Sequence, residues 1–88
     1  MQMTAELSLY PLAGDVNDNV LAFIEDLVTT GKVSVVTTAM STQISGDYDA
    51  VFDAVQLTLR QSYERAGRQV LVAKFLPGFR QEIGPEVD

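Results

Sequence analysis

The 88-residue sequence contains no cysteine, no histidine and no tryptophan, and sets only 6 Lys and Arg against 12 Asp and Glu. Each absence removes a class of chemistry. Without Cys there is no disulfide scaffold, no thiolate nucleophile, no zinc ribbon and no iron–sulfur site. Without His there is no Ser-His-Asp or Cys-His constellation and no imidazole shuttle near neutral pH. A net charge of −6 argues against nucleic acid as a partner, because that binding rests on clustered Lys and Arg that displace counterions. No apolar run approaches the ~18 residues of a membrane span. The opening MQMTAELSLYPL lacks the basic stretch of a secretory signal. A cytoplasmic location is therefore the expectation, and the lack of Cys is compatible with it.

The length suits a single domain. A domain this small buries roughly 60–65% of its unfolded surface, so its core is thin and oligomerisation is a natural supplement. The acidic excess is uneven. Residues 1–66 hold Glu6, Asp15, Asp18, Glu25, Asp26, Asp47, Asp49, Asp53 and Glu64 against Lys32, Arg60 and Arg65, whereas residues 67–88 are balanced. Compensation of helix N-termini and solubility account for most of these acids. Attraction for a cationic ligand is the functional alternative.

Residues 2–10 alternate, with Met3, Ala5, Leu7 and Leu9 in one set and Thr4, Glu6, Ser8 and Tyr10 in the other. That period predicts a half-buried strand, closed by Pro11 because proline brings no N–H to the ladder. Asp15 or Asn17 can cap a helix carrying Val20, Leu21, Ile24, Leu27 and Val28 at helical spacing, with Gly31 as its C-terminal stop. The β-branched run Val33 to Thr38 reads as a strand, and Met40 to Ser45 as another across a tight connection. Asp47 is the expected N-cap of a second helix bearing Val51, Phe52, Val55, Leu59 and Ala66. Gly67 stops it, and Gln69 to Leu76 is the last strand. The domain is assigned to residues 1–78 and a short polar tail to 79–88.

The order βαββαβ has one compact solution: a four-stranded antiparallel sheet with both helices on one face, the ferredoxin-like α+β fold. One sheet face is then bare. On the first strand Thr4, Glu6, Ser8 and Tyr10 belong to that face. The third strand splits into Met40, Thr42 and Ile44 against Ser41, Gln43 and Ser45, and the pattern leaves open which set faces out. The last strand is apolar on both sides apart from Lys74, so the bare face is expected to be covered by another subunit.

Glu6 stands out there, since a covered carboxylate is costly unless paired. The plainer account is an ion pair with Lys74 or with an Arg of a partner chain, or contact with water. The functional account is an acceptor for an amino-bearing or cationic ligand. Ser8, Ser41 and Thr42 add small hydroxyls, Tyr10 a packed or stacking ring, and Met40 core filler or an adaptable ligand wall. Asp49 and Asp53 share a helix face, but two helical carboxylates without a third ligand make a weak metal site. Arg60, Arg65 and Arg68 suit the negative end of the second helix. Residues 11–19 hold no Arg, which removes acylphosphatase chemistry.

The segments AELSLYPL (5–12), MSTQISGDYDAVFDAV (40–55) and GRQVLVAKF (67–75) together resemble the YkoF-like thiamine/hydroxymethylpyrimidine-binding proteins, in order and over Met3 to Phe75. The resemblance implies a ferredoxin-like fold, sheet-against-sheet packing, and binding of thiamine or its pyrimidine precursor without chemistry or a cofactor. Some relatives carry two copies of the unit, so this one-copy chain is expected to form a homodimer or homotetramer. The implied ligand site comprises Glu6 and Ser8, Tyr10 at the rim, and Met40, Ser41 and Thr42, with Leu71 or Phe75 completing an apolar wall. Two rival readings share the architecture. One is an ACT-like regulatory module for another metabolite; the other is a cofactor-free dimeric α+β barrel enzyme, for which Glu6 is the one acid or base in view.

Overall fold

The structure, a computed structural model, describes residues 1–80. The elements follow the expected order: β1 Gln2–Pro11, α1 Val16–Thr29, β2 Ser34–Thr37, β3 Thr42–Asp47, α2 Tyr48–Ala66 and β4 Gln69–Pro77. The strands lie in the order β2-β3-β1-β4, and every neighbouring pair is antiparallel. Strands β1 and β2 therefore run parallel with β3 between them, as do β3 and β4 with β1 between. Each helix bridges one such pair, which is the split βαβ arrangement.

Both helices cover the same side. Met3, Ala5 and Leu7 of β1 and Ile44 of β3 bury against Phe23 and Leu27 of α1 and Val51 and Ala54 of α2. The caps are those anticipated. Asp15 Oδ1 accepts from the Asp18 amide at 2.9 Å, and Asp47 Oδ2 from the Asp49 amide at 3.3 Å. Gly31 takes φ +68 just beyond α1, a conformation that L side chains rarely adopt. Gly46 sits where space is short. A Cβ there would stand 3.2 Å from the Lys32 carbonyl, where the chain passes toward β2.

The buried helix faces differ from the expected stripes. On α1, Phe23 and Leu27 are buried while Leu21 and Val28 are exposed. The face is Val20, Phe23, Ile24 and Leu27, one helical stripe narrower than the apolar content of the segment. On α2 the buried residues are Val51, Ala54, Thr58 and Ser62, and Phe52 is partly exposed. Small side chains let α2 approach the sheet closely. Thr58 Oγ1 donates to the Ala54 carbonyl at 2.7 Å and Ser62 Oγ to Gln69 Oε1 at 2.6 Å, so the buried hydroxyls keep partners. Phe52 stacks on Phe75 of β4 with centroids 4.7 Å apart and meets Tyr48 edge-on at 5.1 Å. Arg65 reaches across to Asp26 of α1 at 3.0 Å, a contact that accounts for one of the three arginines assigned to the helix end.

The bare face is not wholly bare within one chain. After Pro77 the chain turns at Gly78, whose amide donates to the Gln2 carbonyl at 2.7 Å, and Thr4 Oγ1 donates to the Phe79 carbonyl at 2.9 Å. Arg80 extends to Gln2 Oε1 at 3.2 Å and Ser34 Oγ at 3.5 Å. Phe79 and Arg80 thus lie over one end of the sheet, where Thr4 and Ser45 are buried. The rest of the expected tail, residues 81–88, lies outside the described residues. Among the described residues no helix is long and apolar enough to cross a membrane.

Candidate functional site

Register decides which side chains share the open face. Ala5 pairs with Ile44 and both are buried under the helices, so Glu6, paired with Gln43, points the other way. The open-face set of β3 is therefore Ser41, Gln43 and Ser45, which resolves the alternative that the sequence pattern left open. On β4 the pairs Leu9–Leu71 and Ala5–Phe75 put Leu71 and Phe75 on the helix side. The expected wall of Leu71 or Phe75 is thus corrected. The apolar residues of β4 on the open face are Val70, Val72 and Leu76, each about half exposed.

The six candidates separate accordingly. Glu6, Ser8, Tyr10 and Ser41 belong to the open face, and Ser41 Oγ donates to Glu6 Oε2 at 3.1 Å. Lys74 Nζ stands 3.7 Å from Glu6 Oε1, with side chains 77% and 40% exposed. An ion pair so wet contributes little, about 0–1 kcal/mol. A carboxylate has about four acceptor positions, so Glu6 is held by Ser41 and retains capacity for another donor. Thr42 faces the helices instead. It is buried, and its Oγ1 shares a hydrogen bond with Thr37 Oγ1 at 3.2 Å. Met40 is 87% exposed at the hairpin tip, not core. There the Thr38 hydroxyl accepts from the amides of Met40 and Ser41, and this local capping serves the four-residue connection 38–41, in which no residue takes positive φ. The Ser41 and Thr42 side chains thus point to opposite faces of the sheet, Ser41 toward Glu6 and Thr42 toward Thr37.

Two clefts adjoin these residues. One, of about 210 Å³, lies between α1 and the β2–β3 hairpin and is lined by Phe23 of α1 and by five of the six candidates, Ser8, Tyr10, Met40, Ser41 and Thr42, but not Glu6. No charged side chain lines it. The other, of about 260 Å³, lies on the open face over Glu6, Gln43 and Lys74, with Leu76 and Phe79 at its side. Either alone is below the ~300–1,000 Å³ of pockets that enclose a drug-sized ligand. Of the two, the open-face cleft is the one that contains a carboxylate, with the Lys74 ammonium beside it. Gln43 and Phe79 were not singled out from the sequence. A lone aromatic just after Pro77-Gly78, in an otherwise polar stretch, was the available signal for Phe79.

The remaining acids do not gather. Asp47 caps α2 and stands 3.6 Å from the Met1 ammonium, and among the described residues no three acidic side chains come together as a metal site would need.

Comparison with solved structures places the chain among proteins of this shape. A hypothetical protein from Methanocaldococcus jannascii is 26% identical, with a TM-score of 0.78 over 92% of this chain and 84% of that one. A domain of unknown function from Bacillus cereus is 28% identical, with a TM-score of 0.73 over 100% of this chain and 85% of that one. A proposed thiamine biosynthesis/salvage protein from Thermotoga maritima is 18% identical, with a TM-score of 0.75 over 85% and 82%, a likeness of fold alone. None of the curated proteins matches. The YKOF-related family matches residues 2–75, nearly the whole described chain. The chain belongs to the YKOF-related family.

Proposed function

We propose that this chain binds thiamine, or its hydroxymethylpyrimidine moiety, on the open face of its sheet and performs no reaction on it. The observation that carries the reading is Glu6. Its carboxylate sits mid-strand on the uncovered face, oriented by Ser41 and still 40% exposed. An aminopyrimidine offers an exocyclic amine, which Glu6 can accept from, and Ser8 supplies a hydroxyl that both donates and accepts. The acidic chain favours the cationic thiazolium of the whole vitamin. Family membership supports this ligand class, as does the thiamine-related proposal attached to the similar Thermotoga maritima protein.

A second copy completes the site in this reading. Val70, Val72 and Leu76 leave an apolar stripe on β4 beside Glu6, and packed sheets stand about 10 Å apart, room for a planar ring between them. The protein is then a homodimer or homotetramer in the cytoplasm. Binding rather than turnover suits a chain with no His and no Cys. The barrel-enzyme reading would use the cleft beside α1, where Tyr10 is the single titratable side chain, and no observation favours it.

Calorimetric titration with thiamine and with hydroxymethylpyrimidine tests the proposal. Saturable heat from one of them, lost in Glu6→Gln, is the expected result. No heat from either, with the protein folded by circular dichroism, overturns it.

A further inference from the structure

The strand registers align three polar side chains across the open face. Gln43 of β3 and Lys74 of β4 both stand directly opposite Glu6 of β1. Directly opposed residues on neighbouring strands have Cβ atoms about 4.5–5.5 Å apart, so the Gln43 carboxamide and the Glu6 carboxylate rise side by side from the floor of the 260 Å³ cleft. The carboxamide has two donors and an acceptor oxygen, and it makes no hydrogen bond among the described residues. The Glu6 carboxylate is placed by Ser41 on one oxygen.

The adjoining row is closed. Thr4 and Ser45 share a hydrogen bond of 2.8 Å, and Phe79 lies beside them at the edge of the cleft. Phe79 is held through its backbone by Thr4 at its carbonyl and by the preceding Gly78 amide on Gln2, with Arg80 anchored beyond. Its ring is 47% exposed. An aromatic side chain whose backbone is tied down on both sides is a wall set in place before a ligand arrives, which lowers the ordering cost of binding.

We infer that Gln43 is a specificity-determining residue and that Phe79 is the aromatic wall of this cleft. Glu6 and Gln43 together read the edge of an amino-substituted heteroaromatic ring in which the amine neighbours a ring nitrogen. The amine donates to Glu6. The Gln43 Nε2 donates to the ring nitrogen. The face of the ring lies against Phe79, where aromatic contact adds to area burial. The inference rests on the reading that Glu6 anchors an aminopyrimidine. It adds what that reading lacks, a donor for the ring nitrogen and a wall supplied by the same chain.

The test is calorimetric, with hydroxymethylpyrimidine and with an analogue in which the ring nitrogen beside the amine is replaced by C–H. Wild type should bind the analogue about tenfold more weakly, the scale of one hydrogen bond in a partly covered site. Gln43→Leu should lose about tenfold on the pyrimidine and show no further loss on the analogue, because the lost hydrogen bond is the same one. Phe79→Ala should weaken both ligands alike. Equal effects of Gln43→Leu on the two ligands, or none, overturn the role of Gln43, and unchanged affinity in Phe79→Ala overturns the wall. These results leave Glu6 as an anchor, whereas a wild type that binds neither ligand removes both readings. Thermal melts by circular dichroism accompany each variant, and Gln43→Met, close in shape, uncharged and lacking the donor, replaces Gln43→Leu if the latter does not fold. It carries the same expected loss on the pyrimidine alone.

Discussion

The two faces of one sheet are built by different rules. Under the helices, Met3, Ala5, Leu7 and Ile44 are at most 2% exposed and fit against Phe23, Leu27, Val51 and Ala54. Such a face is governed by volume, since interiors are close-packed and each lost methylene is felt. The open face uses the alternate residues of the same strands and carries Glu6, Ser8, Gln43 and Ser41 among half-exposed valines and leucine. It adds little to the packing of one chain. Its side chains are instead a mixture of polar groups and half-exposed apolar ones. The division teaches that, under the proposed function, stability and binding are separated by one residue along β1, with Ala5 and Leu7 buried under the helices and Glu6 between them assigned to the ligand.

That separation can be broken or sharpened by substitution. The largest effect belongs to the helix side. Phe23→Ala should cost about 3–5 kcal/mol, a cavity-creating change in a thin core, and denaturant titration should show much or all of the folded state lost. A cost below about 1 kcal/mol would mean that the helix face is not where this fold is held. Next comes Glu6→Gln. Hydroxymethylpyrimidine affinity should fall by roughly 10- to 100-fold, the loss of a hydrogen bond to a charged group. Stability should move by no more than about 0.5 kcal/mol, because Glu6 makes only a wet ion pair and one hydroxyl contact. A large stability loss with unchanged binding would reverse the assignment of the two faces. Asp47→Ala lies between the faces and should cost about 1 kcal/mol through loss of the α2 N-cap, read as a lower denaturation midpoint with ligand affinity retained. The smallest effect on binding is expected from Thr42→Val. Its hydroxyl faces the helices and pairs with Thr37, so affinity should stay within twofold of wild type by roughly the scatter of neutral substitutions. A clear drop would move the ligand to the cleft between α1 and the hairpin.

Much of this arrangement was legible before the structure. The alternation of β1 separates Ala5, Leu7 and Leu9 from Glu6, Ser8 and Tyr10 without ambiguity, because the two sets differ in polarity at almost every position. Asp15, Asp47, Gly31 and Gly67 mark helix ends by local chemistry, and local chemistry is readable residue by residue. The fold follows from the order of the elements. Strand β3 was not legible in the same way. Thr42 and Ser41 are both small hydroxyl residues, and a one-residue slip of register exchanges the whole set between faces. The α2 stripe failed for a related reason. Thr58 and Ser62 look like surface residues, yet they are buried with their hydroxyls satisfied at short range.

Periodicity and capping are properties of a short stretch of chain, so the sequence alone settles the strand–helix order, the helix ends and the face on which Glu6 stands. Register, the closeness of helix and sheet, and the return of Phe79 over Thr4 join residues up to 75 positions apart. Those depend on which distant groups complete one another's hydrogen bonds and fill one another's space. Tertiary structure alone therefore put Gln43 beside Glu6, turned Thr42 away from it, and brought Phe79, which reads locally as the start of a tail, to the edge of the open-face cleft.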